Sequence, residues 1–198
     1  MQKSLLAMIA VSAAFALSAP QASAVTNVAL ATEGGVASQS STGFGGVASR
    51  GIDGNRSGTW GHASVTHTNS QANAWWQVQL DGDYDLGQIN LWNRTDCCSD
   101  RIDPFTIAVY DGANVVWSQS VQTFVNNIND GLANTSGMQF DLGVVTGDRV
   151  RITLNGTNYL SVAELEAFTT VRQPAIPEPA SIGLLALAGL GLLRRRLA

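Results

Sequence analysis

Four stretches of this chain alternate apolar and polar residues with a period of two, and that period suits strands, not helices. Trp76, Val78 and Leu80 alternate with Gln77 and Gln79. Ile89 and Leu91 follow, then Phe105, Ile107 and Val109, then Val150, Ile152 and Leu154. No window of useful length carries a helical period. Turn dipeptides separate the runs at Asp81-Gly82, Asp111-Gly112, Leu142-Gly143 and Asn155-Gly156. Short strands with one apolar face each bury those faces by packing two layers together. The expectation is an all-β, antiparallel β-sandwich.

Both ends carry different signals. Lys3, the apolar stretch Leu5 to Leu17 and the small residues Ala22-Ser23-Ala24 read as a secretory signal peptide over residues 1–24. At the other end, Pro177-Glu178-Pro179 precedes an apolar run over 180–193, and Arg194-Arg195-Arg196 follows. The run is rich in Leu and Ala, with a proline just before its start, so a helix is expected. It is shorter than the ~20 residues that cross a bilayer untilted. Arginines past an apolar run hold that end in the cytoplasm. Residues 177–198 resemble the PEP-CTERM sorting signal of Gram-negative bacteria. That resemblance implies processing by an exosortase-type enzyme, transient anchoring in the inner membrane through the C-terminal helix, and a final place at the cell surface or outside the cell. Residues 171–176 read as a linker.

The span 25–170 is long enough for one core. Val25 to Ile176 holds fourteen acidic residues, seven arginines and no lysine. So negative a stretch argues against a nucleic-acid partner.

One constellation stands out in this span. Twenty-six residues separate His67 from Arg94, one separates Arg94 from Asp96, and four separate Asp96 from Arg101. Cys97 and Cys98, the only two cysteines, sit inside it. An imidazole and two guanidiniums acting as donors suit the vicinal hydroxyls of a sugar, because the guanidinium fork is planar and always charged. An oxidising compartment favours disulfides. The residues alone leave three states open: a bond between adjacent cysteines, two thiols, or a bridge to another chain.

This spacing resembles the fucose-binding motif of the F-type lectins, the fucolectin family. The resemblance extends from Asn27 to Phe168, through Ala48-Ser49-Arg50-Gly51-Ile52-Asp53-Gly54-Asn55, Gln71-Ala72-Asn73-Ala74-Trp75-Trp76-Gln77-Val78 and Tyr159-Leu160-Ser161-Val162-Ala163-Glu164-Leu165-Glu166. It implies a jelly roll of the discoidin-like type over 25–170. It implies that His67, Arg94 and Arg101 hydrogen-bond L-fucose while Asp96 orients an arginine. It further implies a disulfide between Cys97 and Cys98 as an apolar platform for one sugar face. Trp60, and more distantly Phe44, are candidates to receive the methyl of a 6-deoxy sugar. The resemblance also implies structural Ca²⁺ held by the main-chain carbonyls of Arg50 and Ala163 with Asp53, Asn55, Ser64 and Glu164. Hard oxygen ligands of this kind suit calcium. Val65 and Ala163 stand where some family members carry a further disulfide.

The expected function is therefore that of an exported, calcium-containing lectin for fucosylated glycans or polysaccharide, and not an enzyme. A glycosidase places two carboxylates across the scissile bond, whereas Asp96 and Asp100 sit beside arginines. Ser64, His67 and Asp96 could be assembled on paper into a hydrolase triad, but no nucleophile-elbow sequence supports it. The alternative is a structural protein of the exopolysaccharide layer with a weak or altered sugar site.

Overall fold

The computed structural model describes residues 25–170. The expected signal peptide, the linker 171–176 and the sorting signal 177–198, with its apolar helix and arginine cluster, lie outside the described residues. The described chain forms β1 (Val36–Gln39), β2 (Gln71–Ala72), β3 (Trp75–Trp92), β4 (Phe105–Asp111), β5 (Asn114–Val121), β6 (Gly137–Leu154), β7 (Thr157–Asn158) and β8 (Glu164–Thr169). Every strand pair is antiparallel. The fold is the expected β-sandwich.

Two 18-residue strands, β3 and β6, run through both layers. At one end Trp75–Gln79 pairs with Arg149–Thr153, flanked by β1 on one side and by β4 and then β5 on the other. At the other end Gln88–Trp92 pairs with Gly137–Asp141, and β8 flanks β3. Two register shifts divide the halves. Gln79 faces Arg149 and Tyr84 faces Gly147, so the excess residues lie on β3; Leu86 faces Val145 and Gln88 faces Asp141, so there they lie on β6. A bulge bends its strand and sharpens its twist, and opposed bulges fold one ladder over the core.

This corrects two of the four turn assignments. Asp81-Gly82 and Leu142-Gly143 do not end strands; they occupy the two bulges. Gly143 takes a φ of +73° there, which an unbranched backbone supplies without strain. Asp111-Gly112 does make the tight β4–β5 hairpin, with Asp111 opposite Asn114. Asn155-Gly156 links β6 to β7.

The predicted alternation is the core. Trp76, Val78, Ile89, Leu91, Phe105, Ile107, Val109, Val150 and Ile152 are fully buried. A second, smaller cluster of Val65, Trp92 and Ala163, with Trp60 and Ile128 against it, lies beneath the loops described next. Val65 and Ala163 thus contribute buried apolar surface to it.

Candidate functional site

Three loops bring the predicted residues together. Residues 64–68 run buried beside the segment 160–162. Thr66 N and Thr68 N donate to the carbonyls of Val162 and Leu160 at 2.8 and 3.0 Å. The threonine hydroxyls accept from Val162 N and Leu160 N in return, both at 2.9 Å. On the other side His67 N donates to Gly46 O at 2.9 Å, and Gly43 N donates to His67 O at 2.8 Å. A Cβ on Gly46 would stand 2.7 Å from both His67 Cβ and His67 N, so only glycine permits that approach. His67 is consequently 3% exposed and locked from both sides.

The loop between β3 and β4 supplies the rest. Arg94 follows directly on Asn93, the residue after β3, and Arg101 lies in a 3-10 turn, Ser99–Ile102. Between them Cys97 and Cys98 form a disulfide, with Cys98 in the left-handed region at φ +58°. His67, Arg94, Arg101, both cysteines, Trp60 and Phe44 line one shallow cleft of about 280 Å³.

Aromatic rings hold the cations in place. Arg94 lies 5.2 Å from the Trp60 ring centroid, and Arg101 lies 5.0 Å from that of Tyr159. Trp60, Phe44 and Tyr159 surround the imidazole at 5.6, 5.1 and 5.2 Å. Asp96 pairs with Arg94: Arg94 Nε donates to its Oδ1 at 2.7 Å and Arg94 Nη2 to its Oδ2 at 3.3 Å. That guanidinium holds the Asp96 carboxyl below its ordinary value.

The imidazole departs from the expected donor. Its Nδ1 lies 2.6 Å from the Thr68 carbonyl, which can only accept, so Nδ1 carries the proton. Burial, opposed by that bond and reinforced by Arg94 and Arg101, pushes the His67 pKa below its ordinary value. At neutral pH the ring is uncharged and Nε2 is an acceptor. The cleft therefore offers two charged forks and one acceptor, rather than three donors.

Phe44, a remote candidate from sequence, sits at the rim with 78% of its surface exposed. Tyr159 was not foreseen as a site residue. It stands just after β7, and no local pattern distinguishes it from the strand-edge tyrosines of any sandwich.

Of the predicted metal residues, Asp53 and Glu164 are neighbours. Glu164 is buried; its Oε1 accepts from Gly54 N at 3.1 Å, and its Oε2 has no hydrogen-bond partner. Burial, with Asp53 and Glu166 as neighbouring charges, pushes its pKa up to about 8. Burial raises Asp53 as well. Asp53 Oδ1 accepts from Asn55 N at 2.9 Å, and Asn55 Oδ1 accepts from Ser57 N at 3.1 Å. The Ser64 hydroxyl donates to the carbonyls of Ser57 and Thr59. Arg50 sends its guanidinium to Val65 O at 3.1 Å and over Trp60 at 5.3 Å, tying this loop to the cleft. Among the described residues no group of three or more His, Cys, Asp or Glu could hold a metal. A cation here depends on two carboxylates and neutral oxygens. The orphaned Glu164 oxygen, buried beside a second carboxylate, fits such a cation.

Ser64, His67 and Asp96 do not assemble as a triad. Each has another partner: the Ser57 and Thr59 carbonyls, the Thr68 carbonyl, and Arg94.

Known proteins share the sequence and fold of this domain. A family model described as the NedA-like, galactose-binding domain matches residues 50–152. A model of the PEP-CTERM protein-sorting motif matches residues 175–196. Fucolectin-6 of Anguilla japonica is 32% identical over 127 residues, covering 60% of this chain. The chain spans 61% of that relative's length. A solved fucose-binding module from Streptococcus pneumoniae, SpX-3, is 33% identical with a TM-score of 0.64, covering 73% of this chain and 98% of the module. The lectin domain of lectinolysin, solved in complex with Lewis B antigen, is also 33% identical with a TM-score of 0.65, over 73% of this chain and 97% of its own.

Proposed function

This chain belongs to the NedA-like galactose-binding domain family, and we propose that it is a non-enzymatic, exported lectin whose cleft binds L-fucose and related fucosylated glycans. The observation that carries this is the convergence of His67, Arg94 and Arg101 around the Cys97–Cys98 disulfide in one cleft without a carboxylate in its lining.

Two planar guanidiniums donate to adjacent oxygens of one neutral ring, and His67 Nε2 accepts from a hydroxyl. A hydroxyl that both accepts and donates satisfies this mixed set, which a purely anionic ligand does not. Charge-assisted bonds of this kind contribute ~1.5–3 kcal/mol each. The disulfide offers a rigid apolar surface to the sugar face, and Trp60 and Phe44 offer one to a methyl. Because Arg94 is held by Asp96 and Trp60 before any sugar arrives, little ordering entropy opposes binding. Hydrolysis has no pair of carboxylates to work with here.

Calcium would be held by Asp53, Asn55, Ser64 and Glu164 with the carbonyls of Arg50 and Ala163. It would neutralise the buried carboxylate and pin the loop that carries Trp60 and leads to His67. The C-terminal signal would hand the protein to an exosortase-type enzyme after transient inner-membrane anchoring. A single shallow site binds weakly, so dense display at the cell surface would supply avidity.

A glycan array of the secreted protein, with and without chelator, tests this reading. Binding confined to fucosylated glycans supports it. Silence on every glycan would favour a structural protein of the exopolysaccharide layer instead.

A further inference from the structure

The outer face of the β1-β3-β6-β4-β5 half carries a chemistry that the cleft does not use. Residues 36–39, 75–79, 105–111, 114–121 and 149–153 build this half; Arg149 and Arg151 are their only cations, and Asp111, at the hairpin end of β4, is their only anion. The domain is otherwise acidic. The two arginines sit on adjacent outward positions of β6, because Val150 and Ile152 fill the core.

They are stacked across three strands. Arg151 lies 4.6 Å from the Trp75 ring centroid and 5.7 Å from that of Tyr110; Arg149 lies 4.4 Å from Tyr110. Register explains the stack, since Arg149 faces Tyr110 on β4 and Arg151 faces Gln77 on β3. A guanidinium stacked on an aromatic face keeps its N–H donors in its own plane, directed away from the ring and available. Arg151 spends Nε and Nη2 on Gln77 Oε1 at 2.8 and 2.6 Å, and Arg149 spends Nη2 on Gly112 O at 2.8 Å. Among the described residues neither has an ion-pair partner, and Nη1 of each has no hydrogen-bond partner.

We propose that this face binds the carboxylate of an acidic glycan, such as a uronate unit, between Arg149 and Arg151. A carboxylate accepts from both Nη1 groups, and the Gln77 amide nitrogen donates to a neighbouring sugar hydroxyl. Asp148, next to Arg149, and Asp111, next to the Gly112 whose carbonyl accepts from Arg149, oppose the anion locally; more distant acidic residues act weakly, because ionic screening operates over about 10 Å at 0.1 M salt. The other polyanion, nucleic acid, suits the face poorly. The guanidiniums already occupy the ring faces on which bases would stack, and two charges release few counterions. The site shares no residue with the fucose cleft and does not depend on it.

Affinity electrophoresis of the full chain in gels containing alginate, neutral dextran or single-stranded DNA tests the proposal. Alginate should retard the protein at low salt and release it at high salt, dextran should do nothing, and free L-fucose should not compete. R149Q/R151Q should weaken alginate binding by about tenfold or more, the equivalent of at least ~1.4 kcal/mol, with an unchanged circular dichroism spectrum. Should that variant be unfolded, Gln77→Glu decides, because it sets a competing carboxylate against Arg151 and should weaken alginate binding. No retardation by alginate, retardation that the folded variants leave intact, or equal retardation by DNA would overturn the proposal.

Discussion

His67 Nδ1 and the Thr68 carbonyl, 2.6 Å apart, decide what the imidazole can do in the cleft. The carbonyl takes the only proton of the neutral ring, and Nε2 is left as an acceptor. His67 O accepts from Gln39 Nε2 at 3.2 Å and from Gly43 N at 2.8 Å, which holds the backbone from which the ring projects.

Protonation of His67 should therefore abolish its acceptor role. The folded pKa lies below the ordinary 6.5, with burial as the leading cause. Fucose affinity should stay level from neutral pH through 6.5 and fall only as pH drops through the lowered value. Stability follows the same sign: the unfolded chain takes up the proton first, so stability is full above 6.5 and declines as pH falls below it. Calorimetric titrations across pH, paired with NMR titration of the His67 ring, check both. Affinity that rises on acidification would contradict the acceptor assignment.

Replacing Arg94 with Ala should cost ~1.5–3 kcal/mol for each charge-assisted bond lost, about a tenfold loss or more in affinity. Arg94→Lys should fail nearly as badly. An ammonium cannot match the Asp96 carboxylate with two parallel bonds, nor lie flat on Trp60. Surface plasmon resonance on immobilised fucosylated glycan reads this. Near-normal binding by Arg94→Lys would show that charge alone matters there.

Much of this was legible in the chain. Period-two alternation named the core strands, because burial of one face imposes that pattern wherever a strand is half exposed. The cleft's polar members were legible because their spacing holds within one loop plus His67. What escaped was long-range. Asp81-Gly82 and Leu142-Gly143 look like turns, yet each is the excess stretch of a bulge, which only pairing between β3 and β6 reveals. Tyr159 reaches Arg101 through the fold and not through the sequence. The His67 tautomer depends on the main-chain carbonyl next to it, to which its side chain turns back.

The Glu164 carboxyl makes a prediction about the metal. Its folded pKa is about 8 against 4.5 unfolded. The folded state holds the extra proton between those values, so chelated protein should lose stability as pH rises from about 4.5 to about 8. Calcium should restore it, through linkage. Glu164→Gln should raise the melting temperature of the chelated protein at pH 8 and remove its response to calcium. A melting temperature indifferent to both chelator and pH would remove the metal from the account.

Cys97→Ser with Cys98→Ser should weaken fucose binding while lowering the melting temperature by only a few degrees. A disulfide stabilises mainly by restricting the unfolded chain, and a loop between adjacent residues restricts almost nothing. Thermal unfolding and sugar titration of the same sample separate the two effects. Global unfolding would contradict this, and so would unaltered affinity.

The central claim is that this cleft recognises fucose as a neutral sugar, and isothermal calorimetry of the full chain with L-fucose tests it most directly. The account predicts one weak site per chain, an affinity reduced by chelator, and no heat from Arg94→Ala under the same conditions. Absence of binding to L-fucose and to fucosylated oligosaccharides alike, with calcium present and the protein folded, would contradict it.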